Sequence, residues 1–314
     1  MVQTYEGVDR LRQLIRPTTI IQCDALDDLT GAKIVLASET FQRTGSFKFR
    51  AAFNVAQNVQ SQTLIAASSG NFGQALAHAC QILGKKCIIV MPHNSMSVKI
   101  DAVKRYGGIV DLLDVSEKTR AHRVEELAKE NPEACIVSAF DDPFVIAGNA
   151  TLGEELAFRD GLFDCIVVPV GGGGLISGII RGFTMNSCNK PIFGAEPLIA
   201  NDAARSLQEG RIIRNEKEPQ TIADGVRTLS LGEHNWRIIR DGVSGIIEVP
   251  EEKIVQAVKA LFTLANLKVE PTGALSLAAV LTDPERFAGK SVCCIVSGGN
   301  VDPAVLFKIL GSQS

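Results

Sequence analysis

The sequence predicts an α/β fold in which parallel sheets are covered by helices on both faces. Three observations predict it. Short β-branched runs alternate with amphipathic segments of helical spacing. Two of the helical segments in the first half stop at glycine, as helices do. The second half of the chain then repeats the same strand–helix alternation, the pattern of parallel βαβ units.

In chain order, KIVLASE (33–39), TLIAASS (63–69), KCIIVMP (86–92), IVDLLD (109–114) and ACIVSAF (134–140) read as strands. Between them NFGQALAHACQILG, SVKIDAVKRYGG and SEKTRAHRVEELAKEN read as helices, the first two closed by glycine. DCIVVPV (164–170), PIFGAEP (191–197), GIIEVP (245–250) and SVCCIVSG (291–298) are the strands of the second half. Pro250 starts the helix EEKIVQAVKALFTLANL. Residues 198–235 are polar and irregular, and a long excursion from the sheet is expected there. There is no internal repeat, low-complexity tract or flexible linker, so two closely packed α/β lobes are expected. Ligands of such folds collect at the carboxyl ends of the strands, and a site between the lobes is the expectation.

Composition narrows the function classes. The chain has 314 residues, 46% hydrophobic, 21% charged and 5% aromatic, enough for one large domain or two modest ones. A net charge of −3 and a pI near 5.9 give no electrostatic reason to bind nucleic acid or an anionic membrane. No apolar run approaches the ~18 residues of a membrane span. The start, MVQTYEGVDRLRQLIRP, lacks the apolar core of a signal peptide, so a cytoplasmic location is expected. The eight cysteines form no C-x-x-C pair and read as buried free thiols, and the four histidines show no ligand spacing.

Four stretches carry chemistry. VGGGGLISG (170–178) follows a strand and opens a helix. Successive glycine N–H groups and the helix N-terminus suit a phosphate, the alternative being a flexible loop. SSGNFGQALA (68–77) opens another helix and offers donors fit for a carboxylate, or simple caps. SGGN (297–300) ends a strand and, alone, reads equally as a turn. TGSFKFR (44–50) sets Lys48 between two phenylalanines. Alone it is an ordinary surface lysine. With a phosphate cradle and a carboxylate loop, it is the amine that a phosphorylated aldehyde cofactor needs for a Schiff base.

TGSFKFRAA, SSGNFGQALA, VGGGGLISG, TIADGV, EPTGA and SGGN together resemble the serine racemase and serine/threonine dehydratase group of fold type II pyridoxal-phosphate enzymes. The resemblance runs in order from LTGAKI at residue 29 to the end. It implies a two-lobed architecture like the tryptophan synthase β chain. Residues 1–61 and 142–314 would form the large cofactor-binding domain and 62–141 the small one. It implies Lys48 as the Schiff-base lysine and Phe47 against the cofactor ring. Gly171, Gly172, Gly173, Gly174 and Leu175 would hold the phosphate, Asn71 the ring oxygen and Ser297 the pyridine nitrogen. Ser68, Ser69, Gly70 and Arg120 would hold the substrate carboxylate. Ser69 would also stand opposite Lys48 as a second acid/base group, with Gly225 on the substrate side of the cofactor.

EPLIAND (196–202) matches the spacing with which divalent-metal-binding members supply Glu196, the Ala200 carbonyl and Asp202. Oxygen ligands suit Mg²⁺ or Ca²⁺, and without the resemblance this is a loop with a helix-capping Asp. Arg43, Thr44, Gln74 and Tyr106 match in part an ATP site of the group's racemases. A homodimer is expected on the same ground. Two departures bear on substrate choice: Phe72 stands for a frequent histidine, and Asn149-Ala150 for a frequent glutamine-glycine.

The implied reaction is removal of the β-hydroxyl of L-serine, L-threonine or a related β-hydroxy amino acid, giving a 2-oxo acid and ammonia, with serine racemisation open as a second activity. The competing readings are β-replacement of the cysteine synthase type, and a non-catalytic cofactor- or amino-acid-binding protein.

Overall fold

A computed structural model describes residues 5–312. The chain divides into two compact units, residues 1–15 with 48–148 and residues 16–47 with 149–314. The stretch 62–141 expected as the small domain falls wholly inside the first unit, which also takes in 1–15, 48–61 and 142–148. The added helix Lys48–Asn58 explains much of this, because its Phe49 and Phe53 are fully buried among Leu64, Phe72, Leu76 and Ile89 of that unit. Burying two such rings contributes about 1.5–3 kcal/mol each.

The strands are β1 (Thr19–Gln22), β2 (Lys33–Ser38), β3 (Thr63–Ala67), β4 (Lys86–Pro92), β5 (Ile109–Leu113), β6 (Cys135–Ile136), β7 (Cys165–Pro169), β8 (Ile192–Pro197), β9 (Gly245–Val249) and β10 (Ser291–Val296). In the first unit, a four-stranded, all-parallel sheet has the order β5-β4-β3-β6. Leu64, Ile65 and Ala66 of β3 are fully buried. Leu64 and Ala66 join the cluster beneath helix Asn71–Leu83, while Ile65 joins Val124 and Leu127 of helix Arg120–Glu130. This two-sided burial is why the strand reads as a continuous apolar run.

The second unit holds a six-stranded sheet of order β1-β2-β10-β7-β8-β9, parallel except for β1. Alternation along β10 separates its two faces. Val292, Cys294 and Val296 pack in one cluster with residues of helices Glu251–Thr263 and Pro271–Thr282. Cys293 and Ile295 pack in the other with helix Gly174–Met185 and Trp236. All eight cysteines are free and six are buried, as expected; burial pushes the Cys165 thiol up to about 11, leaving it inert at neutral pH.

Two expectations are corrected. ACIVSAF is not a full strand: only Cys135 and Ile136 pair, with Leu64 and Ile65 of β3, at an edge where Ile136 is 48% exposed. Residues 198–235 are not irregular throughout. They contain the helix Asp202–Glu209, short 3₁₀ turns and the start of helix Glu233–Gly242.

Candidate active site

In the first unit, the expected residues lie at the carboxyl ends of strands. Ser68, Ser69 and Gly70 link β3 to helix Asn71–Leu83. Ser68 Oγ accepts the Gly73 N–H at 3.0 Å, and its own N–H bonds Val90 O at 3.2 Å, so the loop is tied to both β4 and its helix. Gly70 has no side-chain cap to offer the helix, and Asn71 Oδ1 accepts from Gln74 Nε2 at 3.3 Å. Lys48 opens helix Lys48–Asn58. Its Nζ donates to Ala139 O at 3.0 Å and lies 5.8 Å from the centroid of the Phe72 ring. Lys48 is thus brought beside the Ser-Ser-Gly-Asn loop, through the residue next to Asn71. Arg120 opens the helix after β5, two strand positions from β3, roughly 10 Å at the usual ~4.8 Å spacing. The structure does not bring it against the serines.

In the second unit, five separated motifs interlock. Phe47 N–H donates to Ser297 O at 3.0 Å, Gly299 N–H to Gly45 O at 3.0 Å, and Ser46 bridges Gly298. Gly45 sits at φ +74° with no room for a Cβ, which would lie 2.4 Å from Asn300 Oδ1; Asn300 Nδ2 in turn donates to Thr44 O at 2.7 Å. A Cβ on Gly273 would lie 2.5 Å from Gly298 O, and one on Gly171 would lie 3.1 Å from Val226 Cα. Gly225 N–H donates to Thr272 Oγ1 at 3.0 Å, which leaves its carbonyl as the group able to face a ligand. Thr272 and Asn300 were not singled out by the sequence. They are polar residues whose role appears only when distant loops meet.

The pattern fits the implied cofactor. Ser297 Oγ is buried at 1% exposure and has no hydrogen-bond partner among the described residues, although an orphaned buried hydroxyl is costly. A ring nitrogen is a partner of the right chemistry. The glycine run between β7 and helix Gly174–Met185 is a cradle that larger residues would fill. Gly173 is at φ +94°, and a Cβ there would lie 2.7 Å from Ile239 Cδ1 and 2.9 Å from Asn235 Cβ.

The carboxylates of the expected metal loop follow β8. Glu196 accepts the Ala204 N–H at 2.7 Å and the Ala203 N–H at 3.2 Å. Asp202 Oδ1 accepts Asn215 Nδ2 at 2.9 Å, while Oδ2 is buried without a hydrogen-bond partner. Burial pushes Glu196 well above the usual carboxylate range, with the Asp202 charge adding to it. Burial pushes Asp202 up to about 7. Two buried carboxylates and an orphaned oxygen fit a divalent cation. Among the described residues there is no cluster of three or more His, Cys, Asp or Glu side chains able to hold a metal, so Ala200 and solvent would have to complete the shell.

A parallel α/β chain with an amine beside a serine loop, a glycine cradle and an orphaned hydroxyl has the parts of a pyridoxal-phosphate site. The match of residues 11–298 to the pyridoxal-phosphate dependent enzyme family shows that the chain belongs to that family. It is 36% identical to L-threo-3-hydroxyaspartate ammonia-lyase of Saccharomyces cerevisiae, over 96% of this chain and 94% of that one. The structure resembles a bacterial-strain (T.th.) threonine deaminase, with a TM-score of 0.89 and 41% identity over 96% and 98% of the two chains. It also resembles maize serine racemase, with a TM-score of 0.90 and 33% identity over 97% and 94%. The protein is therefore a pyridoxal-phosphate enzyme with the mixed α/β architecture of that group.

Proposed function

We propose that the protein is an ammonia-lyase that removes the β-hydroxyl of L-serine, L-threonine or 3-hydroxyaspartate and releases a 2-oxo acid and ammonia. Serine racemisation is a second activity of the same site. The observation that carries this reading is the buried Ser297 hydroxyl at the end of β10. Bound pyridoxal phosphate supplies an electron sink for bond breaking at Cα. A hydroxyl at its ring nitrogen, unlike a carboxylate, does not enforce protonation there, and this favours prompt β-elimination over transamination. Lys48 holds the cofactor and takes the Cα proton. Gly171 to Gly174 with Leu175 bind the phosphate, Asn71 bonds the ring oxygen, and Phe47 packs on the ring. Ser68, Ser69, Gly70 and Arg120 bind the substrate carboxylate, and the Gly225 carbonyl faces the substrate side. The names of the relatives, an ammonia-lyase, a deaminase and a racemase, support the reading.

Glu196, the Ala200 carbonyl and Asp202 are assigned to Mg²⁺ or Ca²⁺, supported by the orphaned Asp202 oxygen. The segment 62–141 is assigned to substrate handling, with the cofactor phosphate bound by residues of 142–314. A homodimer, an ATP site at Arg43, Thr44, Gln74 and Tyr106, and a cytoplasmic location complete the proposal. No helix among the described residues is long and apolar enough to cross a membrane.

The test is an assay for ammonia and 2-oxo acid from a panel of β-hydroxy amino acids, with and without sulfide. Equimolar release without a nucleophile supports the lyase. Turnover only with sulfide supports β-replacement, and no turnover of any member supports the non-catalytic reading.

A further inference from the structure

The glycine run owes its orientation to two asparagines outside it. Asn235 Nδ2 donates to Gly172 O at 2.8 Å, and the Gly232 N–H bonds the same oxygen at 3.1 Å. Asn149 Nδ2 donates to Gly174 O at 2.9 Å. Both amides are buried, Asn235 at 0% and Asn149 at 1% exposure, and Asn235 lies between Leu231, Trp236 and Ile239 of an apolar cluster. Burying an amide in such surroundings is unfavourable unless its hydrogen bonds are made, so each side chain is committed to the carbonyl it holds.

The geometry of the peptide unit turns this into a statement about donors. In a trans peptide, C=O and the next N–H point to opposite sides. Holding the Gly172 carbonyl toward the protein aims the Gly173 N–H away from it. Holding the Gly174 carbonyl does the same for the Leu175 N–H. Glycines alone do not choose a peptide orientation, because both signs of φ are open to them. The packing reserves space for this arrangement: a Cβ on Gly178 would lie 2.4 Å from Asn149 Cβ, and one on Gly173 would lie 2.9 Å from Asn235 Cβ.

We propose that Asn235 and Asn149 are positioning residues that aim the Gly173 and Leu175 N–H groups at the cofactor phosphate. This rests on the reading of the glycine run as the phosphate site. Their contribution therefore belongs to the phosphate and not to the aldehyde or ring of the cofactor.

The test compares pyridoxal phosphate with pyridoxal, which lacks the phosphate, by spectral titration of enzyme freed of cofactor. Asn235→Asp keeps the side-chain shape and removes the donor. It should weaken pyridoxal phosphate about tenfold, the scale of one well-placed hydrogen bond, and change pyridoxal less than about twofold. Asn149→Ala provides a second variant acting on Gly174 should Asn235→Asp fold poorly, with the same sign. Phe287→Leu, in the other cluster of the unit, should lower thermal stability and leave the ratio of the two affinities unchanged. A wild-type preference for pyridoxal phosphate that both asparagine variants retain in full overturns the proposal. Equal wild-type affinity for the two compounds overturns the phosphate reading itself, and this inference with it.

Discussion

The Glu196 carboxylate accepts the backbone N–H of Ala204 at 2.7 Å, so a buried acid lies across the first turn of the helix Asp202–Glu209. The helix N-terminus favours its charge, but burial outweighs that and the acid sits well above the usual carboxylate range. Asp202 is pushed up to about 7. A carboxyl whose pKa is raised by folding favours the native state when protonated. That contribution is complete below the unfolded values of about 4 and is lost as pH rises through the folded ones, about 7 for Asp202.

A divalent cation binds the deprotonated pair and reverses this loss. The difference in melting temperature between Mg²⁺-loaded and chelator-treated protein should therefore be small near about pH 5 and grow toward about pH 8. Glu196→Gln and Asp202→Asn should each abolish the difference. A chelator effect that is absent, or the same at every pH, counts against the site.

Ser297 offers a second test, because its hydroxyl is buried with no hydrogen-bond partner among the described residues. Ser297→Ala removes one donor and should weaken cofactor binding by about two- to tenfold. Ser297→Asp should lower 2-oxo acid formation and raise the fraction of cofactor recovered as pyridoxamine phosphate. Unchanged partition between elimination and transamination in Ser297→Asp would remove the physical basis for the lyase reading.

Ser69 decides between a pure dehydratase and one that also racemises. Racemisation needs an acid/base group on each face of the substrate, and Lys48 serves one. Ser69→Ala and Ser69→Gly should lose racemisation and D-serine dehydration while keeping much of the L-serine activity. Equal loss toward both isomers would make Ser69 a carboxylate ligand. No D-isomer chemistry in the wild type would leave dehydration as the sole activity.

Most strands were readable because burial on both faces makes them continuous apolar runs, as in β7 and β10. β1 was missed: Thr19–Gln22 is four residues at an antiparallel edge, too short to show a period. The helix Asp202–Glu209 was hidden because its buried face is Asp202, Ala203 and Ser206, with no large apolar residue to mark the spacing. Helix Pro271–Thr282 is buried on all sides and shows no amphipathic stripe, so only its EPTGA start drew notice. The site motifs were legible where glycines and serines cluster just after strands. Their supports were not. Thr272, Asn235 and Asn300 act through side chains far away in sequence, and no local pattern announces them. The ACIVSAF run was misread as a full strand, yet its Ala139 carbonyl holds the Lys48 amine.

The most direct measurement is borohydride reduction of the cofactor-loaded enzyme followed by peptide mapping. The pyridoxyl group should be found on Lys48 alone, and Lys48→Ala should show neither the label, the yellow absorbance of lysine-bound cofactor, nor turnover. A label on another lysine, such as Lys85 or Lys268, or a Lys48→Ala enzyme that keeps the absorbance, would contradict the account at its centre.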